Sequence, residues 1–262
     1  YYLFRPKSFR LKRISFKPDA EILKHVLPLG ISSFLTQVSI VVIMAVMNNV
    51  LVIYGAGSKY GADIPMTVVG IVMKVFQIVI SVVVGIAAGA QPIVGYNYGA
   101  GLWRRVKLIF RTMMAAEFSV GLVSLICFEV FPVQIISVFG SEDGLYNEFA
   151  VLAFRVFLGG IVLCCIQKSC SIFLQSMGKP ALSMLLSLLR DFVLSVPLTL
   201  VLPRFFGVTG ALYSGPAADV ISFGAAVLCM AAVFRKLNRL EDGEVALSGA
   251  SQGGLAVERK IC

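Results

Sequence analysis

Residues 75–103 read VFQIVISVVVGIAAGAQPIVGYNYGAGLW, and this stretch contains no Asp, Glu, Lys or Arg. It exceeds the roughly 20 predominantly apolar residues that a helix needs to cross the hydrocarbon core of a bilayer. A second uncharged stretch covers residues 26–57. Hydrophobic residues form 58% of the chain, charged residues form only 14%, and the mean hydropathy is +0.89. A soluble domain has about 25% charged residues, so the sequence predicts a polytopic all-α membrane bundle.

Turn residues and charges divide the chain into six predicted spans with short connections between them. Connections this short place each helix antiparallel to the next. We therefore expect a leading connection at 1–21, a six-helix membrane lobe at 22–236 and a polar tail at 237–262 whose composition is typical of disorder. The predicted spans are residues 22–54, 64–98, 105–132, 146–178, 180–203 and 208–236.

Positive charge alternates between the two ends of these spans. The leader, the second and fourth connections and the end of the last span are basic, whereas the other connections are nearly free of Lys and Arg. Under the positive-inside rule, both ends of the chain lie in the cytoplasm. The net charge of +9 is then a signal of membrane topology, so we expect no nucleic-acid partner. The predicted location is the cell (plasma or inner) membrane.

The glycines of residues 85–107 need a structural explanation. A phosphate-binding loop would require G-x-x-x-x-G-K-S/T or G-x-G-x-x-G between a strand and a helix, and neither pattern is present. Gly85 and Gly89 follow Ser81 at four-residue spacing, which favours close approach of another membrane helix. Gly95, Gly99 and Gly101 are expected to permit a tight turn into the basic cluster that follows.

The same segment carries a family resemblance. GAQPIVGYNYGAGLWRRVK, residues 89–107, resembles the Gly-x-Gln-Pro-Ile-x-Gly-Tyr-Asn-Tyr-Gly-Ala…Arg-Val segment of the multidrug and toxic compound extrusion (MATE) transporters. The resemblance continues at residues 173–223 and extends over about residues 3–240. The residues that carry this motif are Gly89, Gln91, Pro92, Gly95, Asn97 and Gly99.

The resemblance implies a twelve-helix antiporter built from two six-helix lobes, of which this chain is the second. Such a protein expels organic cations or other amphipathic compounds in exchange for Na⁺ or H⁺, and it requires an N-terminal lobe and a lipid bilayer as partners. No other cofactor is implied. One branch of the family binds the coupling cation with a Glu in the first helix of this lobe, but no carboxylate lies between Glu21 and Asp63. We therefore expect the coupling site in the missing lobe, with Glu117 or Asp219 as the alternative.

Polar residues inside the spans are the candidates for a substrate or ion cavity, because ionisable groups in a membrane normally face the interior of the bundle. At ~1.5 Å per residue, the charged members lie at similar depths and are expected to meet around one cavity. The alternative is that they only join helices together. Lys168 is expected to reach the cytoplasmic headgroups instead. The candidates are Gln37, Asn48, Lys74, Gln77, Glu117, Arg155, Arg190 and Asp219.

Other functions remain open at this point. A flippase for lipid-linked oligosaccharides shares the wider superfamily fold, and Lys74, Arg155 and Arg190 would attract its pyrophosphate headgroup. A non-catalytic membrane scaffold subunit is a further alternative. An enzyme is not expected, because the chain has one His and no H-E-x-x-H motif. We accordingly predict no catalytic residues and no metal ligands.

Overall fold

The computed structural model describes residues 20–139 and 144–258, which are helical and contain no strand. The all-α fold class is therefore confirmed. Most of the predicted leading connection at 1–21 and the last four residues of the tail lie outside the described residues. The helices are α1 (Ala20–Ala56), α2 (Asp63–Gly99), α3 (Trp103–Val130), α4 (Pro132–Ser137), α5 (Gly144–Leu158), α6 (Ile161–Ser176), α7 (Pro180–Leu188), α8 (Ser195–Phe206) and α9 (Val208–Glu258). A π-helical turn, Leu189–Leu194, joins α7 to α8.

Within the described ranges, five helical stretches are long and apolar enough to cross a membrane. The pair α5 and α6 adds a sixth if its two helices form one span, although they are bent by 41°. The predicted span 146–178 is therefore broken at Gly159 and Gly160, which have low helix propensity. The five single stretches are Ser33–Ala56, Asp63–Gly99, Trp103–Val130, Pro180–Phe206 and Val208–Asp242.

Two apolar clusters follow one another along the helices. The first contains Phe149 and Phe154, and the second contains Phe173 and Leu174. Four helices run through both clusters: α2, α3, α6 and α9. On the last three, one residue of a charged type lies between the buried members of the first cluster and those of the second: Glu117, Lys168 and Asp219 respectively.

The end of α9 differs from the disordered tail predicted from residue 237. Leu237 is buried in the second cluster. The Lys107 ammonium on α3 donates a hydrogen bond to Asn238 Oδ1 at 2.9 Å and forms an ion pair with Glu241. These contacts hold α9 against α3 beyond the predicted boundary, and the helix continues to Glu258.

The Gln-Pro-Ile-x-Gly segment lies inside α2. Of the three glycines predicted to permit a tight turn, Gly95 and Gly99 are therefore helical, and only the prediction for Gly101 is confirmed. The helix includes Pro92 and ends at Gly99, and the turn is made by Gly101 at φ 73°. Asn97 Nδ2 donates to Ile93 O at 2.7 Å within this last turn. A Cβ on Gly95 would lie 3.4 Å from Ser176 O, so this glycine brings α2 close to the end of α6.

The small residues earlier in α2 do not make the predicted helix contact among the described residues. A Cβ built on Gly85 or Gly89 meets no atom within 4 Å. Ser81 is exposed, and its hydroxyl donates to Gln77 O at 2.7 Å. At these positions, no other helix of the described chain covers the surface of α2.

Candidate functional site

A cavity of about 660 Å³ lies between α1, α2, α6, the α7–α8 segment and the start of α9. Its walls are mainly aliphatic and aromatic, with Met44, Met73, Phe76 and Phe157 among them. Charged groups contribute at one side only, through Lys168, Arg190 and Asp191. The neutral polar residues that complete the lining are Ser33, Thr36, Gln37, Gln77, Ser81, Ser171, Gln175, Ser183, Ser187, Ser195, Thr199 and Ser214.

The sequence-predicted candidates separate into two groups. Gln37, Gln77 and Arg190 line the cavity, whereas Asn48 and Lys74 are exposed on the same helices outside its lining. The expectation that the charged candidates share one cavity was wrong for four of the five, including Lys74, since depth along a helix does not fix the direction of a side chain. The charged candidates outside the lining, other than Lys74, are Glu117, Arg155 and Asp219.

Arg155 illustrates that error. It lies near the end of α5, on the far side of the bend from the charged wall of the cavity. Its Nε is 3.4 Å from Glu129 Oε2 on α3, and both side chains are about half exposed. Arg155 therefore joins α5 to α3 at the surface.

Four charged side chains form a continuous network beside the cavity. Lys168 Nζ donates to Asp191 Oδ2 at 2.8 Å, and Arg190 Nη1 donates to Asp191 Oδ1 at 2.7 Å. Arg190 Nε completes the network by donating to Asp219 Oδ1 at 2.8 Å. None of the four side chains is more than 14% exposed. Two cations and two carboxylates leave no net charge in this buried layer, which offsets much of the cost of desolvating each ion.

The π-helical turn places Arg190 and Asp191 in this network. Ser195 Oγ donates to Arg190 O at 2.7 Å across five residues, and this bond fixes the wide turn. Single π turns inside longer helices are frequent at functional sites. The Arg190 guanidinium carbon also lies 5.8 Å from the centroid of the Phe76 ring, within cation–π range. One residue thereby links the α7–α8 segment to α2 and α9.

Two glycines bring α9 against the break between α5 and α6. A Cβ on Gly160 would lie 2.6 Å from Asp219 Oδ2 and 3.2 Å from Pro216 Cα. A Cβ on Gly215 would lie 3.0 Å from Cε2 of Phe157. Asp219 therefore occupies the space that the missing side chain of Gly160 leaves.

Comparison with known families now identifies the fold. The MatE family model matches residues 29–201, which is most of the described membrane region. The chain belongs to the MatE family. Its membrane helices thus have the MATE transporter fold, and the resemblance seen in residues 89–107 is confirmed.

Curated relatives of this MatE chain include the multidrug export protein MepA of Staphylococcus aureus. The two are 23% identical over 215 residues, which is 81% of this chain and 45% of MepA. MepA of Staphylococcus saprophyticus is 24% identical over 228 residues, or 87% of this chain and 48% of that protein. The chain therefore spans about half the length of the curated relatives it matches.

Solved MATE structures agree with this fold. An outward-facing multidrug resistance MATE transporter of the MOP superfamily superposes with a TM-score of 0.81 at 20% identity, covering 91% of this chain and 53% of that one. A MOP transporter from Pyrococcus furiosus, described as having a binding pocket of reverse polarity, superposes with a TM-score of 0.75 at 20% identity. The match covers 92% of this chain and 53% of the other.

One residue of this MatE site was expected elsewhere, and another was left out of the cavity candidates. Lys168 was expected at the cytoplasmic headgroups, but its side chain is 14% exposed and bound to Asp191. Asp191 was not among the candidates at all. The available signal was the adjacent pair Arg190 and Asp191 inside an apolar span, because two neighbouring opposite charges in a membrane helix indicate internal pairing.

Proposed function

We propose that this chain is the C-terminal lobe of a two-lobed secondary transporter that exports organic cations and other amphipathic compounds in exchange for Na⁺ or H⁺. The observation that carries this proposal is the cavity between α1, α2 and α6–α9. Its surface is mainly apolar, and most of the polar residues that line it are uncharged. The multidrug export relatives support the class of activity. Their length, about twice that of this chain, supports a missing twin lobe, since transport of this kind needs one repeat to rock against another.

The lining of the cavity favours varied amphipathic substrates. Methionine side chains such as Met44 and Met73 are flexible and polarizable, so they adapt to ligands of different shape. The rings of Phe76 and Phe157 offer faces to an apolar or cationic group. The neutral amide of Gln37 and the surrounding hydroxyl groups supply hydrogen bonds without demanding a particular charge.

The charges beside the cavity argue against the flippase alternative. A pyrophosphate headgroup needs cations that are free to bind it, but Arg190 is already bound by two carboxylates. Lys168 is bound by one of the same carboxylates. The other two basic residues considered for this role do not line the cavity: Arg155 lies on Glu129, and Lys74 is exposed outside the lining. The scaffold alternative does not account for the cavity.

We further propose that the N-terminal lobe of the same transporter covers the open faces of α1 and α2. These faces expose apolar side chains such as Phe34 and Ile78 together with polar ones such as Asn48 and Lys74. The small residues Gly85 and Gly89 have free space above them, which would allow a second lobe to approach closely. Such a lobe would close the cavity and make it a route across the bilayer.

The proposed orientation places both chain ends in the cytoplasm. Lys107, which contacts Glu241, lies at the same end of the molecule as Lys179 and Lys236. Burial, together with the nearby positive charge of Lys236, lowers the pKa of Lys179. This grouping of basic residues at one end supports the positive-inside assignment of that end to the cytoplasm.

Na⁺ and H⁺ differ in the kind of site that each would need as the coupling cation. In the described part of the chain, no group of three or more His, Cys, Asp or Glu side chains is arranged to hold a metal ion. A site for Na⁺ is proposed in the N-terminal lobe, on the ground that no carboxylate lies between Glu21 and Asp63 in the first helix of this lobe. A proton is different, because a single carboxyl group can bind it.

Dye export by the complete protein tests this function. Proteoliposomes would be loaded with ethidium, a cationic amphipathic dye, and a Na⁺ or pH gradient would then be imposed. Gln37→Ala removes a hydrogen-bonding group from the cavity and is expected to change the apparent KM by roughly 2- to 12-fold, the equivalent of one net hydrogen bond. Asn48→Ala is the matched control, because Asn48 lies on the same helix outside the cavity.

Two results would contradict the proposal. The complete protein would be no exporter of this class if neither gradient drove dye movement with any of several cationic and neutral amphipathic dyes. The cavity would not be the binding site if Gln37→Ala and Asn48→Ala gave the same kinetics as the unmodified protein.

A further inference from the structure

Glu117 on α3 is an ionisable residue that the proposed transport cavity does not use. Its side chain is 0% exposed and does not line the cavity. Both carboxyl oxygens lack a hydrogen-bond partner. Ser169 on α6 lies beside the carboxyl group, yet its hydroxyl is also buried and completes no hydrogen bond. Two polar groups thus face each other in an apolar seam between α3 and α6.

No opposite charge compensates Glu117 in the described part of the chain. Asp191 and Asp219 are each paired with a cation, but no Lys, Arg or His forms an ion pair with Glu117. The titratable group that faces it from α6 is the thiol of Cys165. Among the described residues, the other helices packed against α3, which are α2, α4, α5 and α9, contribute no charged group that interacts with it.

An ionised carboxylate is very costly in such a place. Isolated charge in a medium of low dielectric constant is disfavoured so strongly that the group normally neutralises instead. A neutral carboxylic acid removes that cost, and its O–H can donate a hydrogen bond to the hydroxyl oxygen of Ser169. We propose that Glu117 binds a proton and forms, with Ser169, a proton-binding site in the α3–α6 seam, separate from the substrate cavity.

Release of this proton requires the seam to open. A Cβ on Gly121, one turn along α3, would lie 3.0 Å from Val162 Cα, so the two helices are in close contact here. In the release step the carboxyl O–H bond breaks, both its electrons remain on the Glu117 oxygen, and the proton passes to water that enters the seam and from there to bulk solvent. A neutral water molecule that stays in the seam then donates a hydrogen bond to the carboxylate, and the helices stay apart.

Movement of α6 would reach the substrate cavity directly. Lys168 lies on α6 next to Ser169 in sequence and holds Asp191 at the cavity wall. The break at Gly159 and Gly160 leaves α6 free of a continuous helical connection to α5. Proton exchange at Glu117 therefore shifts the charged wall of the cavity. This last step, but not the proton site itself, rests on the proposed transport function.

Infrared spectroscopy of the complete protein in lipid nanodiscs tests the site without measuring transport. The absorbance of protonated carboxyl groups would be followed from acidic to alkaline pH. We expect a band that persists after exposed carboxyl groups have ionised and then disappears reversibly at higher pH. Glu117→Gln, which keeps the shape of the neutral acid, is expected to lack this band. Glu129→Gln, which alters a half-exposed carboxylate on the same helix, is expected to retain it.

Two outcomes of this experiment would contradict the proposal, each in a different way. A band that is unchanged in Glu117→Gln would assign the proton to another group and overturn the site. A band that belongs to Glu117 but survives at every pH until the protein unfolds would overturn proton exchange. Ser169→Ala tests the contact between Ser169 and Glu117, because removal of the neighbouring hydroxyl should shift the frequency of the band.

Dye transport then separates this inference from the proposed function. Under a pH gradient alone, Glu117→Gln is expected to abolish ethidium export while ethidium binding is retained. If the unmodified protein exports no dye although the infrared band is present, the transport proposal fails and the proton site stands. If Glu117→Gln exports dye at the normal pH-driven rate, the link from Glu117 to the cavity is wrong.

Discussion

Asp219→Asn should be among the most destabilising conservative changes in the membrane region. The substitution keeps the size of the side chain but removes one of two carboxylates from the network. Arg190 and Lys168 then share only Asp191, so the buried layer acquires a net charge of one. Asp219 itself is 4% exposed, and solvent cannot compensate the charge that is lost.

The size of the effect follows from this burial. Removing one partner of a buried ion pair typically costs about 3–5 kcal/mol, because the remaining charge stays buried without its counterion. For a domain of this size, each kcal/mol lowers the melting temperature by about 2–4 °C. The expected decrease is therefore roughly 6–20 °C at a fixed scan rate.

A double-mutant cycle distinguishes pairing from a general intolerance of change at this position. Arg190→Met alone leaves excess negative charge, whereas Arg190→Met combined with Asp219→Asn leaves the neutral pair of Lys168 and Asp191. The double variant should melt above the temperature that the two single changes predict by addition. Thermal unfolding of the complete protein in detergent, followed by size-exclusion fluorescence, measures all four proteins.

Two results would contradict the buried pairing of Arg190 with Asp219. Additive effects of the two single substitutions would mean that Arg190 and Asp219 do not interact in the membrane. A decrease of less than 2 °C for Asp219→Asn would mean that water reaches this layer, since about 2 °C corresponds to no more than roughly 1 kcal/mol. The exposed pair of Lys59 and Glu148 is the control, and Glu148→Gln should leave the melting temperature unchanged within error.

Two further substitutions test the packing and the electrostatics of the same region. Gly160→Ala should lower the yield and the melting temperature, because its Cβ would lie 2.6 Å from Asp219 Oδ2. Gly224→Ala, which meets no atom within 4 Å, should fold normally, and equal losses in both variants would exclude a steric cause. Lys168→Met should lower the KM for ethidium, because it leaves Asp191 at the cavity wall with one cation fewer. A raised KM in the dye-export assay would show that the lysine itself contributes to binding.

The helices were predictable from the sequence because a membrane-spanning helix needs a long run of apolar residues, and such a run can be read directly from the sequence. The uncharged stretch at 75–103 lies almost wholly within α2, which ends at Gly99. The partners of charged side chains depend on rotation about each helix axis and on bends, which the sequence does not specify. Arg155 and Asp219 were predicted at similar depths, yet one lies at a surface and the other in the buried network.

The errors about glycine have a related origin. Gly99 ends α2 and Gly101 makes the turn after it, so the turn was predicted within a few residues of its position. Gly160 was given no role, although its missing side chain makes room for Asp219. A glycine at a turn acts through its own backbone, which sequence patterns reveal. A glycine at a helix contact acts through a residue that is distant in sequence, and only the fold identifies that residue.

The layer between the two apolar clusters contains two kinds of buried ionisable group, and they differ in how they affect movement of the helices. Asp219 is neutralised by Arg190, so separation of their helices would expose two unpaired ions and is strongly opposed. Glu117 has no such partner among the residues that the structure describes, and the cost of burying it depends on whether it holds a proton. The first arrangement keeps α9 on the α7–α8 segment at any pH at which both groups stay charged. The second makes the contact of α3 with α6 depend on the proton, so movement within this lobe should occur at the α3–α6 seam.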